Sequence, residues 1–259
     1  MILTIDVGLR NLAMCIMSAH DKQDISTYKI HLWDTYNTLD SDDYTCVSLQ
    51  KNGNVCGKKC GFKYLSNGQQ IHCCKTHFPK ELMSGKQIDK KHIFKKRMVN
   101  DYLLQDIAKI VLTRLQSIFD TNISIFSLVT HVLIELQPKV NRKAIFTSHI
   151  LYGKLVELYK DTSTTIRFVR ASQKLKAYTG PEIVCKLKGA YAQRKWLGVQ
   201  YTKWFLETKF LQDQKEKWLP FVLSHKKADD ICDTALMAIN GLYGVPKNQL
   251  KNKNGNELQ

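Results

Sequence analysis

The chain has 259 residues, with 39 Lys and Arg against 23 Asp and Glu, for a formal net charge of +16. A hydrophobic fraction of 44% with 10% aromatics is enough for a core, which excludes a disordered polybasic chain. No apolar run reaches the roughly 18 residues of a membrane-spanning helix, and the opening Met-Ile-Leu-Thr-Ile-Asp has no basic leader, so neither a membrane partner nor a secretory signal is expected.

Residues 1–7 read as a strand, with Ile2, Leu3, Ile5 and Val7 apolar and Gly8 as punctuation. Residues 12–18 and 27–34 read as two more, and the short connections imply an antiparallel meander. Residues 35–90 break the pattern and hold five of the eight cysteines. We read one domain over 1–259 with an inserted module at 40–90. From about 91 to 119, apolar residues from Ile93 and Phe94 to Ile118 recur at helical spacing. This stretch starts with a basic run of Lys86, Lys90, Lys91, Lys95, Lys96 and Arg97, either a solvated face or a phosphate contact. Residues 128–136 read as a buried strand, 143–159 as a helix and 164–170 as a fifth strand. Two more helices follow. One, over 189–211, contains Arg194, Lys195, Lys203 and Lys209; the other, over 226–242, has Ile231, Ala235, Leu236 and Ile239 on one face. The Asn/Lys-rich tail after Pro246 is expected to fray. Strands alternating with helices after a meander imply an α/β fold with a mixed sheet and helices on its faces.

Two acids stand inside apolar strands: Asp6 before Val7-Gly8, and Glu135 in Leu133-Ile134-Glu135-Leu136. A buried charge is costly unless it is paired, hydrogen-bonded or metal-bound. Asp230 and Asp233 lie three apart on the last helix and therefore share a face. Acids at a helix start also suit the macrodipole without any further role. Four clustered carboxylates need a cation, and hard oxygen ligands suit Mg²⁺ or Mn²⁺. Two such ions about 3.5–4 Å apart serve phosphodiester hydrolysis. A basic chain that attracts a polyanion through counterion release fits that chemistry.

The combination of Ile5-Asp6-Val7-Gly8 with Asn11-Leu12-Ala13, Ile134-Glu135-x-Gln137, and Lys227-x-Asp229-Asp230-x-x-Asp233 resembles the RuvC-type Holliday junction resolvases, closest to the branch of poxviruses and other large DNA viruses. The resemblance covers the chain outside the insert. It implies an RNase H-like fold, a five-stranded mixed sheet flanked by helices. It also implies a Mg²⁺-dependent homodimer that cuts opposing strands of a four-way DNA junction inside an infected cell. By position, Asp6 and Glu135 match the strand acids, and Asp230 and Asp233 the pair on the final helix, with Asp229 as the alternative to Asp230. The viral branch also carries a catalytic lysine after the fifth strand. Lys174 takes that place, with Lys176 as the alternative, and a cation there can stabilise negative charge on the scissile phosphate. Gln137, Arg142, Lys143 and Lys176 are expected to contact DNA, although strand-end hydrogen bonding would equally account for Gln137.

Clustered cysteines in a chain expected in a reducing compartment suggest metal rather than disulfides. Cys74-x-x-His77 can place two ligands in one turn, and Cys46 and Cys56 flank a turn at Asn52-Gly53-Asn54. A similar Cys, Cys, Cys-x-x-His pattern in viral resolvases points to Cys46, Cys56, Cys74 and His77 as a structural zinc site, with Cys60 or Cys73 able to replace a member. The remaining positive charge, at 86–97, 139–143, 170–176 and 186–209, is expected to grip DNA arms. Two other readings fit the same residues: a non-catalytic binder of branched DNA, and a related nuclease acting on flaps or RNA–DNA hybrids.

Overall fold

The computed structural model describes residues 1–39, 44–95, 98–225 and 227–243. In chain order the strands are β1 (Ile2–Val7), β2 (Asn11–Ala19), β3 (Tyr28–Asn37), β4 (Phe62–Ser66), β5 (Gln69–Cys73), β6 (His131–Glu135) and β7 (Thr165–Val169). The helices are α1 (Leu104–Thr121), α2 (Ile123–Phe126), α3 (Arg142–Leu158), α4 (Ala190–Thr208), α5 (Gln212–Ser224) and α6 (Ala228–Tyr243). The described residues divide into two compact units, one within Met1–Leu39 and Leu104–Gln259, the other within Asp40–Leu103.

The first unit contains a five-stranded sheet ordered β3-β2-β1-β6-β7. β1, β2 and β3 form an antiparallel meander, and β6 and β7 run parallel to β1. This is the five-stranded mixed sheet flanked by helices that the sequence implies. Strand alternation sends Ile2 and Thr4 to one face and Leu3, Ile5 and Val7 to the other. The Ile2 face packs on α6, where Ile231 through Ile239 are buried, with α4 and α5 behind it. Trp33 of β3 secures this layer by donating its Nε1–H to the Ile231 carbonyl at 2.8 Å. α1 and α3 pack together and contribute nothing to that cluster, so they cover the other face.

In the second unit, β4 and β5 pair as a hairpin that our reading of 35–90 as unpatterned did not foresee. Its turn is Asn67-Gly68, with φ +50 and +76. Two consecutive positive φ values define the tight hairpin turn that Asn-Gly favours. Buried Cys46, Cys60, Cys73, Cys74 and Phe78 form its small core.

The expected helix over 91–119 begins only at Leu104. Ile93 bridges Phe62, and the Phe94 N–H donates to the Gly61 carbonyl at 2.9 Å, so this stretch is held by the hairpin. Backbone pairing to a neighbouring strand outweighs a local helical spacing. The expected helix over 189–211 forms as α4 and ends at Thr208, and a further helix, α5, places the Gln214 side chain on the Ile30 N–H at 2.9 Å. Lys96, Arg97, Lys226 and the tail after Pro246 lie outside the described residues.

Candidate active site

β1 and β6 are parallel neighbours with Ile5 beside Ile134. The next residues, Asp6 and Glu135, therefore stand side by side at the carboxyl ends of the strands and point to the same face. That face meets α6. Thr4, two residues before Asp6, donates its hydroxyl to the Thr234 carbonyl at 2.8 Å. This buried bond anchors α6 so that Asp233, the neighbour of Thr234, lies over the ends of β1 and β6. Gly8 closes the turn beyond Asp6, and a Cβ there would sit 2.1 Å from the Asn11 carbonyl oxygen. The Gly in Asp6-Val7-Gly8 is thus required by the close return of the chain.

Asp6, Glu135 and Asp233 each offer an oxygen, all within 4.8 Å of one another. After β7 a 3₁₀ segment, Ala171–Ala177, turns Lys174 back toward them. The Lys174 ammonium donates to Glu135 Oε1 at 3.2 Å and to Asp233 Oδ2 at 2.5 Å. Three carboxylates thus face one ammonium. Burial, followed by the Glu135 charge, raises Asp6 well above the ordinary carboxylate range. Burial also raises Asp233 to about 6, against the pull of Lys174. Burial opposes the charge on Lys174, but Glu135 and Asp233 outweigh it and hold its pKa above normal. The set has an uncompensated negative charge and hard oxygen donors, and it fits a divalent cation of the Mg²⁺ or Mn²⁺ type.

Asp230 does not join this group. Lys195 of α4 ion-pairs with Asp229 and, at 3.4 Å, with Asp230. Residues three apart on a helix diverge by about 60°, enough for Lys195 to draw Asp230 to a second pair. Burial and the Asp229 charge raise Asp230, whereas at Asp229 burial is outweighed by the hydrogen bond and the charge of Lys195 acting together with a backbone hydrogen bond and Lys227, and that carboxyl is lowered. Lys195 had appeared in sequence only as one more helix cation. α4 comes close to the site because it carries Gly198, where a Cβ would lie 3.1 Å from Asp233 Oδ1.

Of the two expected lysines, Lys174 reaches the acids and Lys176 is exposed. Gln137 is half-buried and donates its Nε2–H to the Glu135 carbonyl at 3.2 Å. Arg142 is exposed and Lys143 half-buried, both in the first turn of α3 after the Asn141 cap.

The raised Asp233 carboxyl has a signed consequence. The folded state binds its proton more tightly than the unfolded chain, so metal-free stability falls as pH rises from about 4 to about 6. We expect melting curves of Asp233→Asn without added magnesium to lose this contribution. An identical slope for wild type and variant between those pH values would contradict it.

In the other unit, Cys46, Cys56, Cys74 and His77 bring one ligand atom each within 4.8 Å. The Cys56 and Cys74 sulfurs are 3.8 Å apart, and His77 Nδ1 is 3.4 Å from both Cys46 and Cys74 sulfurs. A tetrahedron with zinc–sulfur bonds of about 2.3 Å has ligand edges of about 3.8 Å, whereas a disulfide needs about 2.05 Å. The donor set fits zinc. Burial pushes the Cys46 thiol up, but hydrogen bonds from Ser48, the Cys74 backbone and His77 outweigh it and bring the pKa down to about 6. Cys60 and Cys73 lie in the apolar cluster outside the four, and burial raises both their thiols.

No family model matches the chain. An uncharacterized protein of Acanthamoeba polyphaga mimivirus is 25% identical over 213 residues, covering 78% of this chain and 49% of that protein. The chain therefore spans about half the length of the curated relative it matches. Among solved structures it is similar to the yeast mitochondrial Holliday junction resolvase Ydc2, at 14% identity and a TM-score of 0.44, over 93% of this chain and 78% of that one. It is also similar to the fowlpox virus resolvase solved with its Holliday junction DNA, at 12% identity and a TM-score of 0.43, over 96% and 99%. Thermus thermophilus RuvC gives 9% identity and a TM-score of 0.43, over 94% and 96%.

Proposed function

We propose that this chain is a divalent-metal-dependent endonuclease that resolves four-way DNA junctions by paired phosphodiester cleavage, acting as a homodimer in a large DNA virus. One observation carries the reading: Asp6, Glu135 and Asp233 converge from two strands and a helix, with Lys174 on two of them. An acid triplet in which burial raises the Asp6 and Asp233 carboxyls is a costly arrangement for a fold to keep without a cation. The sequence resemblance to RuvC-type resolvases and the +16 net charge support DNA as the substrate. The mimivirus relative supports the viral setting.

Asp6, Glu135 and Asp233 would hold Mg²⁺ or Mn²⁺. When bound, such an ion supplies an activated water and neutralises charge on the phosphate. Lys174 is kept protonated by Glu135 and Asp233, and its ammonium offsets the negative charge that grows on the scissile phosphate. Asp229 and Asp230 balance Lys195 beside the site, and Asp230 adds a fourth carboxylate if that pair opens. Gln137, Arg142, Lys143 and Lys176 contribute to DNA binding, and zinc at Cys46, Cys56, Cys74 and His77 stabilises the insert.

The test is a panel of a synthetic four-way junction, a flap and an RNA–DNA hybrid, with and without Mg²⁺. Symmetric paired nicks on the junction that need the metal are expected. Cleavage confined to the flap or hybrid would overturn the substrate, and cleavage of nothing would overturn the enzyme.

A further inference from the structure

The insert holds a disproportionate share of the positive charge. Residues 44–95 contain ten lysines and two acids, a net +8 of the chain's +16. Nine of these lysines are exposed. The hairpin has two unlike faces. Phe62, Tyr64 and Cys73 turn toward the cysteine cluster. Strand alternation puts Lys63 and its cross-strand partner His72 on the opposite face.

On that second face an aromatic stack has formed apart from the core. Tyr44 lies on His72 with ring centroids 3.8 Å apart and planes at 17°. Phe94 meets the two edge-on, at 5.3 and 4.7 Å. The stack is held by backbone. The Cys60 N–H donates to the Tyr44 carbonyl at 2.9 Å, the Gly61 N–H to the Cys73 carbonyl at 3.1 Å, and the Phe94 N–H to the Gly61 carbonyl at 2.9 Å. Three chain segments are thereby fixed to Cys60-Gly61, which places the rings without covering them. Tyr44 remains 43% exposed. Lys95 follows Phe94 in sequence, Lys63 pairs across from His72, and Lys59 bridges Thr45 next to Tyr44.

An aromatic plane held by backbone bonds on a stretch, residues 44–95, that carries a net +8 matches the two requirements of unpaired nucleic acid, a surface on which a base can stack and cations for the flanking phosphates. An acidic protein would use the charge but has no need of the plane. We propose that this face of the insert binds DNA by stacking an unpaired base on Tyr44, with Lys59, Lys63 and Lys95 on the adjoining phosphates. The proposal rests on the branched-DNA reading above and adds to it that the insert takes a base unpaired at the branch point, which gives the insert a part in substrate recognition beyond its zinc.

The test uses the full chain, zinc-loaded and without added magnesium, with binding followed by fluorescence anisotropy. Tyr44→Ala should weaken binding to DNA with unpaired bases about 5- to 100-fold, with little change on a fully paired duplex, while Tyr44→Phe stays near wild type. Changing Lys59, Lys63 and Lys95 to Ala should flatten the salt dependence of the logarithm of affinity by roughly two to three. A 2-aminopurine at the unpaired position should change its fluorescence on binding the wild type. Unaltered affinity of zinc-loaded Tyr44→Ala, a silent 2-aminopurine, or tighter binding of RNA of the same sequence would each overturn the proposal. If Tyr44→Ala loses zinc, the wild-type 2-aminopurine reading alone decides. A protein that binds in this way but cuts no junction sinks the nuclease and leaves the surface standing. One that cuts junctions while Tyr44→Ala binds normally sinks only the surface.

Discussion

Replacing Asp6 by Asn is expected to lower junction cleavage by more than about 10²-fold while leaving junction affinity near wild type. Asp6 sits where three acids crowd around one lysine, so its charge is needed for a cation and harmful without one. Burial and Glu135 raise its carboxyl, which means the folded chain holds that proton more tightly than the unfolded chain does. Metal-free stability therefore declines as pH rises past the ordinary carboxylate range, and the amide removes the share of that decline that belongs to Asp6. At neutral pH the variant should melt higher than wild type without magnesium, with each kcal/mol of relief raising the midpoint by roughly 2–4 °C. Added magnesium should stabilise the wild type and not the variant. Cleavage at the wild-type rate would refute the catalytic assignment, and a lower metal-free melting point would refute the picture of crowded charge. Both measurements are needed, because lost activity alone also follows from a misfolded variant.

The second large effect concerns the insert. Wild-type protein purified without a tag should contain one zinc per chain, and Cys56→Ser, Cys74→Ser or His77→Ala should lose it. Structural zinc in small domains contributes on the order of 10 kcal/mol to folding. The core of this unit is little more than four cysteines and Phe78, too small to hold alone. Hydrogen exchange should therefore show amides of 44–95 losing protection on chelation, while β1 and β6 keep theirs. Cys60→Ala and Cys185→Ala should retain zinc, since neither sulfur belongs to the four that converge. Zinc lost from Cys60→Ala but kept by Cys56→Ser would mean that the ligand set is different.

Much of the sheet could be read in the sequence because its central strands β2, β1 and β6 are buried on both faces and are apolar almost throughout. Ile2 to Val7 and Val132 to Ile134 stand out for that reason, and so do the acids within them. The helix at 91–103 failed because apolar spacing cannot distinguish a helical face from residues that each pair with a different neighbour, as Ile93 and Phe94 do. The hairpin at 62–73 had a legible signal in Asn67-Gly68, but its strands are only five residues long, and polar residues such as Lys63, Gln69 and Gln70 dilute the alternation on either side.

The individual acids, the lysines after β7 and the cysteine and histidine ligands were legible as residue types, because a carboxylate in an apolar strand or a cluster of thiols departs from what burial and composition permit. Which of them meet was not legible. Asp230 and Asp233 are equivalent candidates on a helical wheel, and Lys174 and Lys176 are both plausible after a strand. The tertiary structure separates them. Thr4 bonds to Thr234, Lys195 reaches across from α4 to Asp229 and Asp230, and the 3₁₀ turn aims Lys174 inward. Periodicity and composition depend on neighbours along the chain, so the sequence alone determined the sheet and its costly residues. The partner of each charge depends on contacts between segments up to about 230 residues apart, such as Thr4 with Thr234, and only the folded chain decides those.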